Sequence, residues 1–232
     1  MMKRTKKLLI RTLVIFVAWL VLVKLRPMII LPHCAADPSL CAPSGINPLD
    51  RFAMGGNSSL AEDLSTATQW VMGFFAFVLP WIFWLPRRVQ GRWILALEDF
   101  LTIAQVVALN GFLTELTRLV VQRPRPYVYE NPTFYGQELQ NYTSFVSGHT
   151  SFSTATAAAL VVILVYRRAS RRLVVTTATL GGLIAIATAV FRVFAGRHFV
   201  TDVLAGSLCG LLSAAAVAAI SRRDDRSAGL HT

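Results

Sequence analysis

Residues 171–223 read RRLVVTTATLGGLIAIATAVFRVFAGRHFVTDVLAGSLCGLLSAAAVAAISRR. Two apolar runs, at about 173–194 and 200–220, each reach the ~20 residues that a membrane-spanning helix needs. Arginines bracket the pair: Arg171 and Arg172 before it, Arg222 and Arg223 after it. Around the joint between the runs stand Arg192, Gly196, Arg197, His198 and Asp202. The pattern predicts a hairpin of two spans with its basic ends on one side and its polar joint on the other. Gly206, Gly210 and an alanine run make the second span suited to close helix packing.

Outward from this hairpin the pattern repeats. Apolar stretches at about 8–25, 67–85, 93–121 and 149–166 bring the number of expected spans to six. The third is the most polar, holding Glu98, Asp99, Gln105, Asn110 and Glu115. A hydrophobic content of 54%, only 15% charged residues and a mean hydropathy of +0.54 agree with a polytopic membrane protein. The expected fold class is all-α: a bundle of six transmembrane helices forming a single membrane domain over residues 1–232. Loops at 26–66 and 122–147 and a polar tail at 221–232 complete the outline.

Charge sets the orientation. Basic clusters precede the first span (Lys3, Arg4, Lys6, Lys7, Arg11), separate the second from the third (Arg87, Arg88, Arg92) and the fourth from the fifth (Arg167, Arg168, Arg171, Arg172), and follow the sixth (Arg222, Arg223, Arg226). Six spans put all four clusters on one face, which the positive-inside rule makes cytoplasmic. The expectation is therefore a cytoplasmic-membrane protein with both termini inside and with loops 26–66 and 122–147 outside. A competing reading takes residues 1–30 as a cleaved signal peptide; no convincing small-x-small cleavage site supports it, and cleavage would keep the same orientation. The net charge of +11 is parcelled into short clusters between apolar runs, which argues against a nucleic-acid partner.

Cys34 and Cys41 lie seven positions apart in the first outer loop, where a disulfide and two free thiols are both open readings. Their surroundings do not resemble a zinc site. Tyr127, Tyr129, Phe134, Tyr135 and Tyr142 make the second outer loop aromatic, either as an interfacial belt or as a rim that guides a headgroup.

Two histidines stand where polar loops enter apolar runs. Ser147-Gly148-His149 opens the fourth span, and a helix start offers free backbone N–H groups and partial positive charge to an anion. Gly148 lets the backbone approach closely, and Ser147 can cap or donate. Arg118 and Arg125 stand seven apart, with Pro124 and Pro126 ending the helix between them so that both can turn toward one anion. In Arg192-x5-His198-x3-Asp202, the aspartate one turn beyond the histidine can take its Nδ1 proton and leave Nε2 free as nucleophile or base. His33 and His231 lack such neighbours.

These residues together resemble the type-2 phosphatidic acid phosphatase superfamily, whose pattern is Lys-x6-Arg-Pro, Pro-Ser-Gly-His and Ser-Arg-x5-His-x3-Asp. Here the three motifs read Arg118-x6-Arg125-Pro126, Val146-Ser147-Gly148-His149 and Phe191-Arg192-x5-His198-x3-Asp202. The resemblance implies an integral-membrane, metal-independent phosphatase with no cofactor, acting on a membrane lipid phosphate. It implies that His198 attacks phosphorus to form a phosphohistidine, with Asp202 holding it. His149 would protonate the leaving oxygen and later activate water. Arg118, Arg125, Arg192, Ser147 and Gly148 would bind the phosphoryl oxygens. Arg118 in place of lysine, Val146 in place of proline and Phe191 in place of serine depart from the pattern without removing a group that does covalent chemistry. A phosphotransferase using the same histidines, and a catalytically silent binder of anionic lipids, are the alternative readings.

Overall fold

The computed structural model describes residues 2–227. Its six long helices are α1 (Met2–Ile29), α2 (Ser59–Trp84), α3 (Arg92–Val121), α4 (Gly148–Tyr166), α5 (Arg171–Phe194) and α6 (Val200–Ser227). All six contain a stretch long and apolar enough to cross a membrane, and the described residues contain no strand. The protein is thus an all-α membrane protein. Several helices outrun the apolar runs. Helix α2 starts at Ser59 because Ser58 caps it, its Oγ accepting from the Ala61 amide at 3.2 Å. Helix α6 continues through Ser227, so the start of the expected polar tail is helical; residues 228–232 lie outside the described residues.

Helix α4 is the axis of the bundle and packs on α2, α3, α5 and α6. It can do so because its buried positions are small: Thr150, Ser151, Ser153, Ala155, Thr156 and Ala159. Larger buried residues, among them Met72, Ile103, Val106, Leu160, Ile163 and Val217, fill the middle of the bundle. The large apolar residues Leu180, Leu183, Ile186 and Val190 of α5 point outward, as do Leu204, Leu208 and Leu211 of α6. Facing lipid costs such side chains nothing, so cohesion must come from close packing and internal polar pairs. The glycines of α6 supply the close packing. A Cβ at Gly206 would lie 2.8 Å from the Ser147 carbonyl oxygen, and one at Gly210 2.5 Å from that of Ser151. Only a bare α6 backbone can rest on the first turns of α4.

Polar pairs account for the charges of α3. Near its start, Asp99 accepts from Arg167 Nη2 at 2.7 Å and from Trp84 Nε1 at 2.7 Å. Near its end, Glu115 is buried and pairs with Arg26 of α1 and with Arg118 at 3.8 Å. Burying a carboxylate is costly unless it is paired in this way. Helix α1 packs chiefly on α3.

The segments joining α1 to α2 and α3 to α4 meet at one end of the bundle. Cys34 and Cys41 form a disulfide with a Cα–Cα distance of 5.6 Å. The Cys34 amide donates to the Tyr142 hydroxyl at 3.0 Å, and that hydroxyl donates to the Gly136 carbonyl at 2.8 Å. Tyr142 is fully buried, so it belongs to neither a belt nor a rim; in this aromatic group only Phe134 and Tyr135 are exposed. The turns between α2 and α3 and between α4 and α5, with their arginines, lie at the opposite end.

Candidate active site

Two chain breaks aim the site's arginines. Helix α3 stops at Val121, where Gln122 takes the left-handed conformation (φ 46°) and its side-chain amide donates to the Ile29 carbonyl at 3.2 Å. The prolines beyond keep the chain extended, and the Arg125 amide donates to the Asn141 carbonyl at 2.8 Å. Helix α5 ends beside Gly196 (φ +64°), where a Cβ would lie 1.9 Å from the Gly56 carbonyl oxygen. Glycine alone satisfies both the backbone angle and the contact. The tight turn brings Arg192, on the last turn of α5, to the same space as His198.

That space is a cavity of about 560 Å³. Arg118, Arg125, Gly148, His149, Arg192 and His198 all line it, from three helices and two connecting segments. Arg118 is held by Glu115 and by the Val146 carbonyl, which accepts from Nε at 3.3 Å and from Nη2 at 3.2 Å. Arg125 and Arg192 have no carboxylate partner among the described residues, and the Nε of each is buried without a hydrogen bond. Buried donors normally find an acceptor, so two guanidinium groups with unpaired Nε donors in a cavity wall form a donor set for an oxyanion. Arg192 is only 4% exposed. The His149 ring makes no hydrogen bond to another described residue, which leaves it available to the cavity.

His198 is fixed differently from the simple histidine–aspartate pairing that the spacing suggests. Its Nδ1 lies 2.7 Å from the backbone carbonyl of Ser144 and 3.7 Å from Asp202 Oδ2. The carbonyl is a pure acceptor, so Nδ1 carries the proton and Nε2 keeps its lone pair. Asp202 acts one step back. Its Oδ2 accepts from Ser144 Oγ at 2.5 Å and from the Phe199 amide at 2.9 Å, while Oδ1 accepts from Arg123 at 2.6 Å. The aspartate thus positions both Ser144 and the turn that carries His198, and lends a negative charge to the ring. Burial pushes the His198 imidazole down to about 3; Asp202 opposes the fall, and Arg192 and Arg125 add to it. The ring is neutral at pH 7.

Ser147 departs from expectation. Its side chain is fully buried and faces the Thr150 hydroxyl at 3.0 Å, and it neither caps α4 nor lines the cavity. Close packing of α6 on this turn turns it away from the cavity. Its amide donates to the Asp202 carbonyl at 3.1 Å, tying the starts of α4 and α6 together. Gly148, next to it, does line the cavity, and a Cβ there would lie 2.6 Å from Arg118 Nη2.

Three contributors had no assigned role in the sequence reading: Ser144, Arg123 and Asp50. Arg123 bridges Asp202 and Asp50, donating from Nη2 to Asp50 at 2.7 Å, and lies 4.0 Å over the Phe199 ring. Asp50 is fully buried and also accepts from the Thr201 amide at 2.9 Å, the Thr201 hydroxyl at 2.7 Å and Asn47 at 2.6 Å. Burial alone would raise its pKa, but these hydrogen bonds, led by Arg123, hold it below the usual carboxylate range. Arg123 could have drawn attention as one more arginine beside the prolines. Nothing local marks Asp50, which lies 73 residues away.

An oriented neutral imidazole, a second free histidine and three converging arginines inside a six-helix bundle define a membrane protein whose cavity suits an oxyanion. The family model of the PAP2 superfamily matches residues 99–226, more than half of the chain. The chain belongs to that superfamily, the type-2 phosphatidic acid phosphatases, and with it goes phosphatase- or phosphotransferase-type activity on phosphate esters. Most members are phosphatases, which supports a hydrolase. No curated protein and no solved structure matches the chain.

Proposed function

We propose that this protein hydrolyses the phosphate ester of a membrane lipid through a phosphohistidine, in a site on the outer face of the cytoplasmic membrane. The observation that carries the reading is His198, its Nδ1 proton held by the Ser144 carbonyl, in the wall of a cavity shared with Arg118, Arg125, Arg192 and His149. The orientation is supported by the arginine clusters at the end opposite this cavity. The lipid character of the substrate is supported by the cavity's continuation between helices toward Val107 and Phe152.

The Nε2 lone pair of His198 forms a bond to phosphorus as the bond to the lipid oxygen breaks. Protonated His149 gives that oxygen its proton, so the lipid leaves as an alcohol. The phosphorylated ring carries positive charge, which the Ser144 carbonyl and the Asp202 carboxylate stabilise. His149, now neutral, takes a proton from water as the water oxygen bonds to phosphorus. The N–P bond breaks, phosphate leaves, and both histidines return to their starting states. Throughout, Arg118, Arg125 and Arg192 face the equatorial oxygens and stabilise their charge.

The test is phosphate release by the purified protein from a panel of lipid monophosphates and diphosphates, with and without a chelator. His198→Ala should lower turnover by about 10³-fold or more while the protein remains inserted. Wild-type turnover in that variant would overturn the mechanism. Transfer of phosphate to a second lipid without release of free phosphate would identify a phosphotransferase instead.

A further inference from the structure

The cavity does not stop at the phosphate-binding wall. Beyond Arg118 it follows α3 past Thr114 and Gly111 to Val107, eleven residues or about 16 Å of helix. Its deep part is walled by Trp19 and Val23 of α1, Gln69 of α2, Val107 and Asn110 of α3 and Phe152 of α4. Helix α1 packs chiefly on α3, and Leu13, Val17 and Leu20 on its other side are exposed. Helix α1 therefore closes the lane on a side where the bilayer's hydrocarbon lies.

Gly111 explains how Trp19 sits in that lane. Glycine inside a helix is less stable than alanine, and nothing in the local backbone calls for it, because Gly111 does not adopt a positive φ. What calls for it is the indole. A Cβ at Gly111 would lie 2.6 Å from both Cδ2 and Cε2 of Trp19 and 2.9 Å from Cε3. Van der Waals contact needs 3.5–4.0 Å, so any side chain there would push the ring off the α3 backbone by about 1 Å. The ring lies flush against bare backbone and takes as little of the lane as it can.

We propose that Trp19, seated on Gly111, is a specificity-determining residue that sets how far the substrate's hydrocarbon chain enters the lane beneath the phosphate. The inference rests on the lipid-phosphate reading and goes beyond it by naming the residue pair that measures the chain. Removing the indole deepens the lane and favours long chains. Adding a methyl at position 111 drives the indole into the lane and penalises them.

The experiment is a competition between hexadecyl and octyl phosphate at equal mole fraction in mixed detergent micelles, read as the ratio of their kcat/KM values. Trp19→Ala should raise the long-to-short ratio at least threefold, and Gly111→Ala should lower it at least threefold. In Trp19→Ala/Gly111→Ala the ratio should return to that of Trp19→Ala, because no indole remains to be displaced. Trp19→Phe, with a smaller ring, should fall between wild type and Trp19→Ala, and it serves where the alanine variant does not insert. An equal loss on both substrates with an unchanged ratio would make Trp19 a packing residue and overturn the proposal, while leaving the phosphatase reading in place. Absence of phosphate release from either substrate by the wild-type protein would overturn both.

Discussion

Gly148→Ala is the sharpest small perturbation of the site. The added Cβ would lie 2.6 Å from Arg118 Nη2, about 1 Å inside ordinary contact. The obstacle is the far end of a flexible side chain, so the guanidinium moves and the backbone stays. Its bonds to the Val146 carbonyl, already 3.2 and 3.3 Å long, have little tolerance for that shift. A misplacement of this size, or the loss of one oriented donor to a charged oxygen, costs about 10²-fold in rate. The expected fall in kcat is therefore ~100-fold, or roughly 2.7 kcal/mol. Stability should hold or rise slightly, since alanine suits a helical turn better than glycine. The assay is phosphate release combined with thermal unfolding in detergent, carried through a double-mutant cycle with Arg118→Ala. Once the arginine is gone, Gly148→Ala should change kcat by less than about threefold, because the side chain it displaces is absent. A single variant within threefold of wild type, or strictly additive effects, would refute the argument.

Other consequences can be checked directly. Asp50 has a lowered pKa when folded, so its contribution to stability is present above about pH 4 and is lost as the pH falls further. Asp50→Asn should flatten the acid limb of the unfolding midpoint, and an unchanged limb would remove Asp50 from the clamp on Arg123. The His198 imidazole is pushed down to about 3, so folding favours its neutral form. That contribution is full above about pH 6.5 and declines as the pH falls toward 3. Between pH 7 and 5 the wild-type unfolding midpoint should therefore drop more than that of His198→Asn; parallel curves would contradict the burial of the ring. For topology, Gln137 is exposed at the cavity end, whereas a side chain at Gly136 would meet the Pro132 carbonyl. Gln137→Cys in a Cys209→Ala background should react with an impermeant thiol reagent from outside, and labelling only after lysis would reverse the orientation.

The six helices were legible because apolar length and arginine placement are local properties of a chain that must satisfy its backbone in lipid. Helix ends were less so: α2 begins at a serine cap among polar residues, before its apolar run starts. Arg118, Arg125, Gly148, His149, Arg192 and His198 were legible because glycines and prolines beside them mark the breaks that aim them, whereas Trp19, Val107 and Phe152, which line the same cavity, carry no such mark. What stayed hidden depends on contacts across the fold. The i, i+4 spacing of His198 and Asp202 suggests a direct bond, but the Ser144 carbonyl takes the nearer position. Ser147 could be read as a donor to substrate, yet the approach of Gly206 buries it. Asp50 carried no signal, because its partner is fixed only when the first loop folds over Arg123.

That last contact has a consequence for what counts as a working unit. The family match begins at residue 99 and takes in all three motifs. Yet Arg123 shares its charge with Asp50, Arg192 Nη1 reaches Ser65 Oγ at 3.4 Å, and Glu115 is paired with Arg26. All three partners lie upstream of the match. A piece of chain holding every signature residue would still lack the struts that brace them, and its buried carboxylate and guanidinium groups would be left half-paired. The N-terminal two helices and their loop are thus scaffolding for the chemistry, and grafting the motifs alone onto another bundle would transfer the reagents without their alignment.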